Sequence, residues 1–121
     1  MREILIKTNS TIQDTLVKLQ NSSLKCLIVT NKKKTLLGTI NDGDVRRAIL
    51  KNAKLSSKIL KYYKKNCYFI RYRELSKINT SEKLKKLKIS LIPIVDKNMK
   101  VIDYVADNIN FDKPSLKNNK K

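Results

Sequence analysis

The chain has 121 residues, 40% of them hydrophobic, enough for one compact domain or two small repeats sharing a core. It carries 28 basic and 10 acidic residues and no histidine, for a net charge of +18. The absence of histidine removes the commonest general base and argues against a transition-metal site, and the charge favours anionic ligands.

In chain order, residues 4–6 read as a short strand. Thr8 to Thr11 is a polar lead-in with several possible N-caps, and Ile12, Leu16 and Leu19 at helical spacing predict a helix with one apolar face. Asn21 to Lys25 ends it. Leu27 to Thr30 reads as a buried strand, Asn31 to Lys34 as a turn, and Thr35 to Ile40 as a second strand. A Gly-containing turn then feeds a helix whose buried side is Val45, Ala48 and Ile49. Asn52 to Ser57 is a polar break, Ile59 to Tyr63 a short crossing helix, and Cys67 to Tyr72 a strand by residue type. Glu82 to Lys88 is a very basic helix with Leu84 and Leu87 on its apolar side. Leu91 to Val95 and Lys100 to Val105 form a second strand pair, turning at Lys97-Asn98. Phe111 is the last expected core residue, and Asp112 to Lys121, with Pro114, is a polar tail.

The two halves repeat at a constant offset of 65 residues, Leu27 to Val45 aligning without gaps on Ile92 to Asn110. Leu27-Ile28-Val29-Thr30-Asn31 falls on Ile92-Pro93-Ile94-Val95-Asp96, Gly38 on Asp103 and Ile40 on Val105. A helical stretch precedes each copy, Thr11 to Gln20 and Thr80 to Leu87. One unit alone would not bury both its faces, so the copies should share a core. The expected divisions are residues 1–62 for the first repeat with its crossing segment, 63–111 for the second, and 112–121 for a basic linker or tail. Ile28, Val29, Leu37, Ile40, Val45, Ile49, Ile92, Ile94, Val95 and Val105 are expected to be buried.

Candidate chemistry gathers where the second strand meets the helix. A helix N-terminus suits a phosphate, and the carboxylates of Asp42 and Asp44 can accept hydrogen bonds from sugar hydroxyls. The alternative for either is N-capping. Arg46 and Arg47 read as a solvated face or as reach toward a polyphosphate, and Thr39 as a hydroxyl contact or a solvent-facing strand residue. Cys26 and Cys67 lie in apolar surroundings and read as reduced, buried thiols of a cytoplasmic protein rather than a disulfide. The basic residues are scattered, with no aromatic–basic stripe, which argues against nucleic acid as a partner. No apolar run approaches the ~20 residues of a membrane span, and MREILIK lacks the apolar stretch of a secretory signal.

The segment Gly38-Thr39-Ile40-Asn41-Asp42-Gly43-Asp44 resembles the signature of the cystathionine-β-synthase-type (CBS) domain: Gly, a hydrophobic pair, Ser/Thr, two residues, then Asp. Asn41 stands where Ser or Thr is usual. With the repeat, the resemblance covers nearly the whole chain. It implies an α/β fold of two pseudo-symmetric repeats, small sheets with helices on one face. It implies an adenine nucleotide (AMP, ADP or ATP) as regulatory ligand, with no cofactor required. Asp44 would hold the ribose, Asn41 and the helix N-terminus the phosphate, and Ile28, Ile40, Pro93 and Ile94 would flank the nucleotide. In the second copy Asp103 replaces the Gly, Ala106 the Ser/Thr and Ile109 the Asp, so one nucleotide site is expected rather than two. The resemblance further implies a homodimer through the helical faces. GTINDGDVRRAIL with IPIVDKNMKVIDYV is similar to CBS pairs placed ahead of sugar-phosphate nucleotidyltransferase domains. That implies a non-catalytic regulatory piece with a C-terminal catalytic domain in cis. The alternatives are the CBS pair of a sugar-phosphate isomerase and a ligand-free oligomerisation module.

Overall fold

Each half folds its strands into a three-stranded sheet. The computed structural model describes residues 1–106. In the first half β1 (Leu5–Lys7) leads through α1 (Ile12–Gln20) to β2 (Cys26–Thr30), which turns into β3 (Leu36–Asn41) and α2 (Asp42–Leu50). In the second half β4 (Ile70–Arg71) leads through α3 (Thr80–Leu87) to β5 (Leu91–Val95) and β6 (Val101–Ala106). The sheet orders are β1-β2-β3 and β4-β5-β6; in each, the first pair is parallel and the second antiparallel. A parallel pair needs a crossover, and α1 and α3 supply it.

The hairpins match residue for residue at the offset of 65. Leu27 pairs with Ile40 as Ile92 pairs with Val105, and Val29 with Gly38 as Ile94 with Asp103. Both ladders slip at the same point, between Val29 and Thr30 and between Ile94 and Val95. The turns agree too. The Asn31 side-chain oxygen accepts from Lys33 N (2.9 Å) and Thr35 N (3.0 Å), and an Asp96 oxygen accepts from Asn98 N (2.8 Å) and Lys100 N (3.0 Å). Lys34 (φ 67°) and Met99 (φ 66°) follow in left-handed conformation. The two turns then bond to each other: Leu36 N donates to Met99 O (2.9 Å) and Val101 N to Lys34 O (2.9 Å). The repeats are thus stitched tip to tip by backbone.

The core is largely common property. Leu91, Val95 and Val101 of the second repeat pack in one cluster with Ile12, Leu27, Ile28, Val29, Ile40 and Val45 of the first. Ile70, Leu84, Ile92 and Ile94 form a smaller cluster. Of the expected core residues, Ile28, Val29, Ile40, Val45, Ile92, Ile94 and Val95 are buried, and Leu37 and Val105 are half-buried.

Several sequence expectations need correction. Ile49 is 46% exposed: Val45 and Ala48 are the buried residues of α2, and a residue one step beyond Ala48 is turned about 100° away. On α1, Leu16 is partly exposed and Thr15 takes the buried place, its hydroxyl donating to Thr11 O at 2.9 Å. The first strand runs Leu5–Lys7, after a 3-10 turn over Arg2–Ile4. The strand expected at Cys67 to Tyr72 shrinks to Ile70–Arg71, the only residues that pair with β5, and a 3-10 turn takes over at Tyr72. The crossing helix is a 3-10 turn, Ile59–Lys61. Asn41, not Asp42 or Asp44, is the N-cap of α2. Asp107, Ile109, Asn110, Phe111, Pro114 and the 112–121 tail lie outside the described residues.

Candidate functional site

A cavity of about 340 Å³ opens where the two repeats and the segment joining them converge. That volume falls in the range of small-molecule sites, ~300–1,000 Å³. Its walls are the strand starts Cys26 and Leu91, the β3–α2 junction, and Lys64, Cys67 and Tyr68 of the joining segment.

The joining segment reaches the cleft because β3 lets it. Thr39 N donates to Lys64 O (3.0 Å) and Lys64 N to Thr39 O (2.8 Å), adding Lys64 to the edge of the first sheet. A Cβ on Gly38 would lie 2.0 Å from Lys64 O and 2.9 Å from the Tyr63 ring. Only a residue without a side chain permits that approach.

The α2 N-terminus is built by a reciprocal cap. The Asn41 side-chain oxygen accepts from Asp44 N (2.8 Å), and an Asp44 oxygen accepts from Asn41 N (2.9 Å). The other Asp44 oxygen accepts from Arg47 Nη2 at 2.8 Å. Asn41 therefore spends its oxygen on the helix and turns only a donor amide outward. Both Asp44 oxygens are engaged, and its side chain is 14% exposed.

Three lysines, Lys25, Lys64 and Lys88, line the cleft against a single carboxylate, Asp42. Leu24, Tyr68, Ile89 and Leu91 give it apolar surface. Burial pushes the Cys26 thiol up to about 12 and raises Cys67 as well, so both are neutral thiols near pH 7.

Of the residues singled out from the sequence, Thr39, Asn41 and Asp42 line this cleft. Asp44 and Arg47 stand beside it, bonded to each other, and are not among its walls. Ile28, Ile40, Pro93 and Ile94 are buried within the sheets and do not line it either. Sequence reasoning did not foresee Lys25, Cys26, Lys64, Cys67, Tyr68 or the Lys88–Leu91 stretch. A signal for two of them existed: Cys26 and Leu91 are offset partners, so the strand starts of both repeats meet one space.

Residues 1–51 match the family model of the CBS domain. Over that segment the first repeat is similar to the CBS domain. The CBS domains of a transcriptional regulator from Streptococcus pneumoniae superpose with a TM-score of 0.72 at 16% identity, covering 93% of this chain and 90% of that one. A CBS domain protein from Pyrobaculum aerophilum, solved in complex with AMP, gives a TM-score of 0.65 at 14% identity over 85% of this chain and 79% of that one. At these identities the likeness establishes the fold, that of a CBS pair. An uncharacterized protein of Helicobacter pylori is 30% identical over 98 residues, covering 81% of this chain. The chain spans 30% of that relative's length. Among the described residues no helix is long and apolar enough to cross a membrane.

Proposed function

We propose that this CBS pair is a regulatory, non-catalytic adenine-nucleotide sensor, and that its ligand sits in the cleft at the start of α2. The observation that carries this reading is that one cavity is walled by both repeats and by the segment joining them. A ligand there touches every part of the module, so its binding energy acts on their relative arrangement. The N–H groups at the α2 N-terminus and the Asn41 amide would meet phosphate. Thr39 supplies a hydroxyl, and Tyr68, Ile89 and Leu91 offer apolar surface to a base. For Asp44 to take a ribose, as the family signature implies, it must exchange the Arg47 contact for sugar hydroxyls. The AMP complex of the Pyrobaculum aerophilum protein supports this ligand class.

In this reading the repeats divide at residues 62 and 63, and residues 112–121 lead into a further domain. That domain is a sugar-phosphate nucleotidyltransferase of surface-glycan synthesis, located in the cytoplasm. Two modules pair through their helices: Leu16, Val17, Ile49 and Leu50 of α1 and α2 are 37%, 53%, 46% and 75% exposed, an apolar surface that a second copy would cover.

Calorimetry with AMP, ADP and ATP at fixed salt tests the sensor. Saturable binding is expected, and Asp44→Ala should weaken it on the order of tenfold to a hundredfold, since a hydrogen bond to a charged group is worth ~1.5–3 kcal/mol. No saturable binding by the parent chain would put the ligand-free oligomerisation module ahead.

A further inference from the structure

We infer that the cleft reads the number of phosphates, favouring a nucleoside triphosphate over a monophosphate, and that Lys25, Lys64 and Lys88 are the residues that do so. The inference rests on the cleft being the nucleotide site. The three ammonium-bearing side chains come from three separate parts of the chain: the residue before β2, the joining segment, and the residue after α3. They nevertheless line one cavity together with the α2 N-terminus. The Arg47 guanidinium is already committed, tied to Asp44 at 2.8 Å. Asp42 is the single lining acidic residue, so the residues lining the cleft carry a net charge of +2.

One phosphate would be satisfied at the helix N-terminus and by Asn41, which leaves three lysines facing one carboxylate, Asp42. A second and a third phosphate would supply the lysines with further anions. Lys25 and Lys88 also hold left-handed backbone (φ 56° and 57°), a conformation that glycine or asparagine adopts at lower cost. All three lysines are exposed, so each pair with a phosphate is worth roughly 1.5- to 5-fold in affinity, and together on the order of tenfold.

The experiment is calorimetry on the full chain with magnesium-free AMP, ADP, ATP and inorganic tripolyphosphate at constant ionic strength. Affinity should rise from AMP to ATP by on the order of tenfold. The triple variant K25Q/K64Q/K88Q should cost ATP more than AMP and abolish the preference for the triphosphate. The charge-matched control K33Q/K85Q/K86Q, altered outside the cleft, separates local contacts from the overall field and should keep the ATP preference. Circular dichroism verifies that both variants are folded. Equal affinity of the parent for AMP and ATP overturns the inference and leaves the sensor reading standing. Equal loss of ATP affinity in the two triple variants also overturns it. If no nucleotide saturates, the sensor reading fails and this inference, which rests on it, falls with it.

Discussion

Gly38 and Asp103 face Val29 and Ile94 at the same place in two matching hairpins, yet one is a buried glycine and the other an exposed carboxylate. The hairpins themselves do not differ there in register, slip or turn. What differs is what lies alongside. The joining segment crosses the molecule once, beside β3, and only that strand must give up its side chain to admit Lys64. The pseudo-symmetry of the pair is therefore broken by connectivity rather than by the repeats, and the cleft forms on the side where it is broken.

The largest effect should come from testing that asymmetry directly. Gly38→Ala puts a methyl group into a backbone carbonyl and costs the two Thr39–Lys64 hydrogen bonds, a loss of about 2–4 kcal/mol in urea unfolding. Asp103→Ala, at the matching place, should stay within ~0.5 kcal/mol. Equal costs would mean that the joining segment is not held at β3.

A smaller difference is expected at the helices that cross each sheet. Thr11 and Asp14 cap α1 reciprocally, at 3.0 and 2.9 Å, whereas Asn79 accepts one bond from Glu82 N at 3.1 Å on α3. Thr11→Ala should cost about 1 kcal/mol and Asn79→Ala about half of that, read from thermal unfolding. The reverse order would show that the second helix, not the first, limits stability.

The turns offer a comparison by pH. Asn31 and Asp96 play one role, but only Asp96 titrates. The backbone N–H of Lys100, then that of Asn98, holds its carboxyl below the usual aspartate range. A lowered folded value means that this stabilisation is present above the ordinary aspartate pKa and is lost as pH falls through the lowered one. Asp96→Asn copies the first turn into the second. It should leave neutral stability almost unchanged and flatten part of the loss on acidification; the parts from Asp14 and Glu3, whose carboxyls backbone N–H groups also hold below their ordinary values, remain. Superimposable acid profiles for parent and variant would refute this.

The smallest signal concerns the thiols. With Cys26 raised to about 12, its thiolate fraction at pH 8 is on the order of 10⁻⁴, so alkylation should be very slow in the folded chain and faster at half-buried Cys67. Rapid labelling of Cys26 would mean that the cleft wall opens.

The hairpins were legible from sequence because turn chemistry and strand alternation are local. Asn31 and Asp96 set their turns, and the aligned apolar runs set the register. Ile49 was misplaced because Ala48 and Ile49 are neighbours in sequence but only one of them faces the sheet. Cys67 to Phe69 have strand-like composition, yet β5 pairs only with Ile70 and Arg71, and residue type does not reveal where a partner ends. At the site, Thr39, Asn41 and Asp42 came from a contiguous motif. Lys64 and Tyr68 did not, because their place depends on a crossing that no local pattern encodes.

β6 closes the second sheet, and among the described residues its outer edge meets another backbone only where Lys100 bridges to Thr35. Such an edge invites a strand from another molecule, and Ile102, 44% exposed, would add to the attraction. The first sheet has no such exposure at Thr39, where Lys64 already occupies the position. Asp103, which looks like a lapse from the glycine of the first repeat, puts a charge at the middle of the open edge. Its consequence is protective: restoring the symmetry with Asp103→Gly would leave the fold intact and make the protein prone to aggregate.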